Sequence, residues 1–135
     1  MDSAKKNRLV TFLSRQSDPP LVPIGQFFDG NDDIGSIGCN LSDHPGITVF
    51  REILNLVADR PDVQGVYAQV AEIDPGDDCW PFTDTVYVIG TIRNEELKEL
   101  LRELEPDEVG PVDDFDVPAA IKTRYDATIY AAWWD

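Results

Sequence analysis

One histidine, one methionine and two cysteines are all that these 135 residues hold of the side chains that most often carry soft-metal or redox chemistry. The single His44 excludes a multi-histidine zinc centre, and Cys39 and Cys79 form no Cys-x-x-Cys pair. Two thiols so far apart do not make a disulfide scaffold in a chain of this length, so both are expected to be reduced. Neither Gly-x-Gly-x-x-Gly nor a Gly-Lys-Ser/Thr phosphate loop occurs, which removes the common nucleotide-binding fingerprints. No apolar run approaches the roughly 18–20 residues that span a bilayer, so no helical membrane span is expected. The stretch Leu9–Leu13 is too short for a signal-peptide core and lacks a small-residue cleavage site, which leads to the expectation of a cytoplasmic protein.

Positive charge is scarce as well. Eleven Lys and Arg stand against 26 Asp and Glu, a formal net charge of −15. Four of the bases (Lys5, Lys6, Arg8, Arg15) fall in the first fifteen residues, so the remainder is more acidic still. Such a field repels nucleic acid and anionic membranes and speeds encounter with a basic protein partner. It also serves plain solubility. The hydrophobic fraction of 42% is that of an ordinary globular protein, so the chain is expected to fold as one domain.

What is present has a readable order. Leu9, Phe12 and Leu13 suit one face of a short helix, which Asp18-Pro19-Pro20 ends, and Pro23 opens a helical turn carrying Ile24, Phe27 and Phe28. Alternation over 35–41, with Ile37, Cys39 and Leu41 on one side and Ser36, Gly38 and Asn40 on the other, predicts a strand. Helical spacing of Ile47, Phe50, Ile53, Leu54 and Val57 predicts a helix over 45–59. Strands follow at 64–73 and 85–92, a helix at 94–105 with Leu97, Leu100, Leu101 and Leu104 on one face, and a last strand at 127–134. In sequence this is an α+β chain, and the order βαββαβ is that of a ferredoxin-like sandwich with residues 1–34 as an N-terminal extension packed on a core of 35–135. Another two-layer α+β sandwich is the alternative.

Several constellations are candidates for function. Oxygen-bearing Asp29, Asn31 and Asp33 alternate as calcium ligands do, but a glycine at position six and a closing glutamate are missing, so the loop is read as a turn and no metal is expected. Cys39 and His44 invite a nucleophile and base, with Asp43 behind them, yet the inward set of a strand makes Cys39 an ordinary buried thiol. No cofactor is expected and no catalytic residue is assigned. Ser36, Gly38 and Asn40 present little bulk on the outer side of the predicted strand and are the ligand-binding candidates. Residues 103–116 hold seven acids and no base; Asp113, Asp114 and Asp116, with the aromatics Trp80 and Trp134, are the candidates for contact with a basic partner. Trp133 and Trp134 must point to opposite faces of their strand, so one of them leaves the core of the other.

The segments Gln26-Phe27-Phe28-Asp29-Gly30-Asn31 and Ser36-Ile37-Gly38-Cys39-Asn40-Leu41, with the ending Tyr130-Ala131-Ala132-Trp133-Trp134-Asp135, resemble a family of small bacterial proteins of uncharacterised function. The resemblance covers most of the chain after residue 21. It implies a bacterial protein and brings no catalytic residue. Small acidic immunity proteins that neutralise toxins are similar in size and charge, a likeness of properties alone. Three classes of function therefore remain: an acidic protein-binding module of inhibitor or immunity type, a small-ligand-binding regulatory domain, and a small hydrolase-like enzyme using Asp or Glu.

Overall fold

A computed structural model describes residues 1–113 and 116–135. It is an α+β arrangement of one five-stranded antiparallel sheet with helices on both faces. In chain order the elements are α1 (Ser3–Ser14), β1 (Leu21–Pro23), α2 (Ile24–Phe28), α3 (Ile47–Ala58), β2 (Val63–Glu72), β3 (Phe82–Gly90), α4 (Asn94–Leu100), β4 (Glu108–Pro111), α5 (Ala119–Lys122) and β5 (Thr128–Trp133). Short 3-10 turns occupy Ile34–Ser36 and Arg102–Leu104.

The sheet order is β1-β2-β3-β5-β4, with every pair antiparallel. This corrects the ferredoxin-like reading. Residues 35–41 form no strand, so nothing separates β3 from β5 and the two pair directly, Val86 opposite Ala132 and Val88 opposite Tyr130. Turn chemistry overrides the alternation there: the Asp33 carboxylate accepts the Gly35 N–H at 2.8 Å, and Gly38 turns the chain at φ +64°. Cys39, expected to face inward, is consequently exposed.

Residues 1–34 supply more than an extension. They contribute β1, which pairs with β2 through Leu21↔Gln69 and Val22↔Ala68, and they place Phe27 and Phe28 in the core. The Gln16 side chain bonds both backbone groups of Leu21: its amide N–H donates to the Leu21 carbonyl at 2.7 Å and its oxygen accepts the Leu21 N–H at 3.0 Å.

Strand parity distributes the sheet between two layers. On one face Val66, Ala68 and Val70 of β2, Val86 and Val88 of β3, and Tyr130 and Ala132 of β5 pack with Phe50, Leu54 and Val57 of α3 and Leu97 of α4. As expected, α3 and α4 share this face, and Leu9 and Leu13 of α1 join the same core. Phe12 does not; it is 44% exposed, because Lys6, Leu9 and Leu13 take the inward stripe of α1. On the other face Leu21, Tyr87, Ile89 and Ala131 lie under Val117 and Ile121. Covered on both sides, the central strand β3 is continuously buried from Val86 to Gly90.

Candidate functional site

The predicted ligand candidates do not form a cleft. Ser36 is buried; its hydroxyl donates to the Asp33 carbonyl at 2.7 Å and accepts from the Asn31 amide at 2.9 Å. Gly38 lies against the Phe50 ring, where an added Cβ would meet Cζ at 2.8 Å. Only Asn40 faces solvent. The neighbouring acidic loop is held as a turn: Asn31 Oδ1 accepts the Asp33 N–H, Asp33 Oδ2 accepts the Trp80 N–H at 2.9 Å, and Asp29 pairs with the Lys5 ammonium at 2.6 Å. Among the described residues no cluster of three or more His, Cys, Asp or Glu is arranged to hold a metal.

Both ring nitrogens of His44 are engaged by backbone. Nδ1 accepts the Gly46 N–H at 2.9 Å, which makes Nε2 the protonated nitrogen that donates to the Ile37 carbonyl at 2.9 Å. Neither is left for the Cys39 thiol, and the histidine holds the residue that precedes α3.

The tryptophans are distributed differently from the expectation. Trp80 is 1% exposed with its indole N–H on the Phe27 carbonyl, and Trp134 is 3% exposed with its N–H on the Leu104 carbonyl at 2.7 Å and its ring edge-on to Phe50. Buried and internally satisfied, neither can anchor a partner from this surface. Trp133 is the exposed tryptophan of the pair, at 37%. The opposite-face rule holds, with the outward member reversed. Trp134 shares the parity of Tyr130 and Ala132 and so falls on the face that the larger helices cover. The alternation Ala131-Ala132 carries no signal to choose between the two parities, which is why the sequence pattern missed Trp133.

Trp133 stands at a cleft of about 300 Å³ on the less thickly covered face. Thr85 and Tyr87 of β3 and Ala131 of β5 line it, and Asp113 and Asp116 flank it after β4. Asp113 and Asp116 are exposed, and the Asp116 N–H donates to the Asp113 carbonyl at 2.9 Å. Asp114, the third acidic candidate, lies outside the described residues. No Lys or Arg is among the described residues that line the cleft. The Tyr87 hydroxyl donates to Gln69 Oε1 at 3.1 Å, and burial, followed by the negative charges of Asp116 and Asp84, pushes its pKa above the usual tyrosine value. The arrangement can accept a cation: an indole and two carboxylates around a hollow without a base of its own.

Comparisons with known proteins bear on identity and not on chemistry. No solved structure matches the chain. The protein named Uncharacterized protein YfbO of Escherichia coli (strain K12) is 31% identical over 91 residues, which is 66% of this chain and 63% of that protein, so the match spans less than two thirds of the relative's length. Residues 4–131 match the model described as the Uncharacterized protein YfbO family. With nearly the whole sequence inside that match, the chain belongs to the YfbO family of bacterial proteins of unknown function.

Proposed function

We propose that this protein is a non-enzymatic, cytoplasmic binding module that takes a basic segment of a protein partner into the cleft beside Trp133, in the manner of a small inhibitor or immunity protein. The observation that carries the reading is the exposed Trp133 indole beside Asp113 and Asp116 at a hollow lined by no base among the described residues. A guanidinium or ammonium over an indole gains about 0.5–1 kcal/mol when exposed and about 2 kcal/mol when desolvated. Hydrogen bonds from the same cation to a carboxylate are roughly twice as strong as neutral ones. The net charge of −15 adds long-range steering toward a basic surface, which raises association rates more than it lowers dissociation.

The test uses an arginine- and lysine-rich peptide as probe. Asp113→Asn with Asp116→Asn should slow its association, and salt should shrink the difference, because exposed charges are screened over about 10 Å at 0.1 M. Trp133→Ala should weaken the complex about tenfold, mostly through faster dissociation. A control pair far along the chain, Asp43→Asn with Glu52→Asn, should change little. Equal effects from both acidic pairs, with no effect of Trp133→Ala, would reduce the acidity to solubility and nonspecific attraction.

A further inference from the structure

A second hollow, of about 190 Å³, opens between α1 and α5 beside β1 and combines an apolar lining with a cation. Phe12, Leu21 and Ile121 form its apolar walls, and Tyr67, Gln16 and Arg124 are its polar groups. Gln16 is already committed to the backbone of Leu21 and serves as a fixed wall. Arg124 is exposed and makes no ion pair among the described residues.

Tyr67 and Tyr125 contribute one donor between them. The Tyr67 hydroxyl lies 2.5 Å from that of Tyr125, and a pair of hydroxyls has two protons but needs only one to make that bond. Neither hydroxyl has another partner among the described hydrogen bonds, so one O–H remains for an acceptor. Burial, reinforced by Tyr125, pushes Tyr67 up to about 12, so it stays protonated at neutral pH.

The charged side chain that lines the hollow, Arg124, is opposite in sign to the protein's net charge. In a chain of net −15, Arg8 and Arg15 line an adjoining recess on the other flank of Phe12. We infer that the hollow between α1 and α5 binds a small monocarboxylate with a flat or short apolar body, its carboxylate on Arg124 and the spare tyrosine hydroxyl and its body against Phe12, Leu21 and Ile121. A planar guanidinium suits a carboxylate bidentately. A volume below the roughly 300–1,000 Å³ of sites for drug-sized ligands limits the body to one ring or a short acyl chain. This site is separate from the Trp133 cleft, and either reading can fail without the other.

The experiment is a titration of the full chain with benzoate and with hexanoate, followed by NMR of the Phe12, Tyr67 and Ile121 side chains and of the Arg124 guanidinium. Saturable shifts confined to these residues are expected with at least one of the two acids. Benzyl alcohol, which keeps the ring and lacks the charge, should bind at least tenfold more weakly than benzoate, and acetate should compete only weakly. Arg124→Gln should weaken binding at least tenfold while Arg124→Lys retains part of it. Because Arg124 is exposed, both variants should unfold at the wild-type denaturant midpoint. Benzyl alcohol binding as well as benzoate, unchanged affinity in Arg124→Gln, or no saturable shift with either acid would overturn the proposal.

Discussion

The ammonium of Lys6 donates to the backbone carbonyl of Gly76 at 2.6 Å, tying α1 to the loop between β2 and β3. The Lys6 side chain is 8% exposed, and the Asp74 carboxylate lies 3.6 Å away. Lys6→Met keeps the apolar stem but strips that carbonyl of its donor, so denaturant unfolding should show a loss of about 1–3 kcal/mol. Lys5→Met, which breaks an exposed pair with Asp29, should cost less than about 1 kcal/mol. Equal losses would mean that the loop does not depend on the buried ammonium.

Adjacent tryptophans should behave as different residues. Trp134→Phe removes the N–H that satisfies the Leu104 carbonyl and should destabilise by about 1–3 kcal/mol, whereas Trp133→Phe should stay within about 0.5 kcal/mol of wild type. Acrylamide, which is uncharged, should quench a fluorescence component in the wild type that Trp133→Phe lacks, since Trp80 and Trp134 are buried. Persistence of that component in the variant would place another indole at the surface.

Two strand glycines give opposite expectations. A Cβ on Gly90 would fall on the Asp62 carbonyl and 2.9 Å from Val63 Cα, both backbone of the neighbouring segment. Gly90→Ala should therefore cost about 1–3 kcal/mol in unfolding measurements, as overpacking does. Around Gly110 nothing lies within 4 Å, so Gly110→Ala should be neutral or stabilise by up to about 1 kcal/mol.

The tyrosine pair predicts a change in alkali. Tyr67 titrates near 12 in the folded protein, against about 10 for an unfolded tyrosine. Between those values the folded chain binds the extra proton, so stability falls as pH rises; the contribution is complete below about pH 10 and gone above about pH 12. In a tyrosinate absorbance titration, Tyr67→Phe should remove a step near pH 12. A step near pH 12 that survives in Tyr67→Phe would assign the perturbed hydroxyl elsewhere.

Periodicity located the elements that own a face of the core. The helices carrying Phe50, Leu54 and Leu97 and the strands around Val66, Val88 and Tyr130 emerge within a few residues of their positions, because each repeats its apolar residues over several turns or pleats. The strands at Leu21–Pro23 and Glu108–Pro111 are three and four residues long and both end on proline, too short for any repeat and marked as loop by composition. Ile37, Cys39 and Leu41 imitate a strand because a turn at Gly38, closed by the Leu41 N–H on the Gly38 carbonyl, happens to alternate its residue types. At the candidate site, Asp113 and Asp116 were legible from charge density alone. The alliance of Trp133 with Tyr87 and Thr85 depends on the β3–β5 register, Thr85 opposite Trp133, which no local pattern encodes.

The side chain of Gln16 offers Leu21 one acceptor and one donor, the same pair that a passing peptide group would offer. On that flank the sheet thus carries a surrogate neighbour within its own chain, and the next outward position, Pro23, has no N–H to give. At the far flank β4 is four residues long and closes on Pro111. An incoming strand therefore finds little ladder to extend on β1 or β4 themselves. Short edge strands that end on proline disfavour recognition by backbone templating, and with it the edge-to-edge pairing by which open sheets polymerise. That shifts the weight of any recognition onto side chains, where a single exchange of residue can alter the choice.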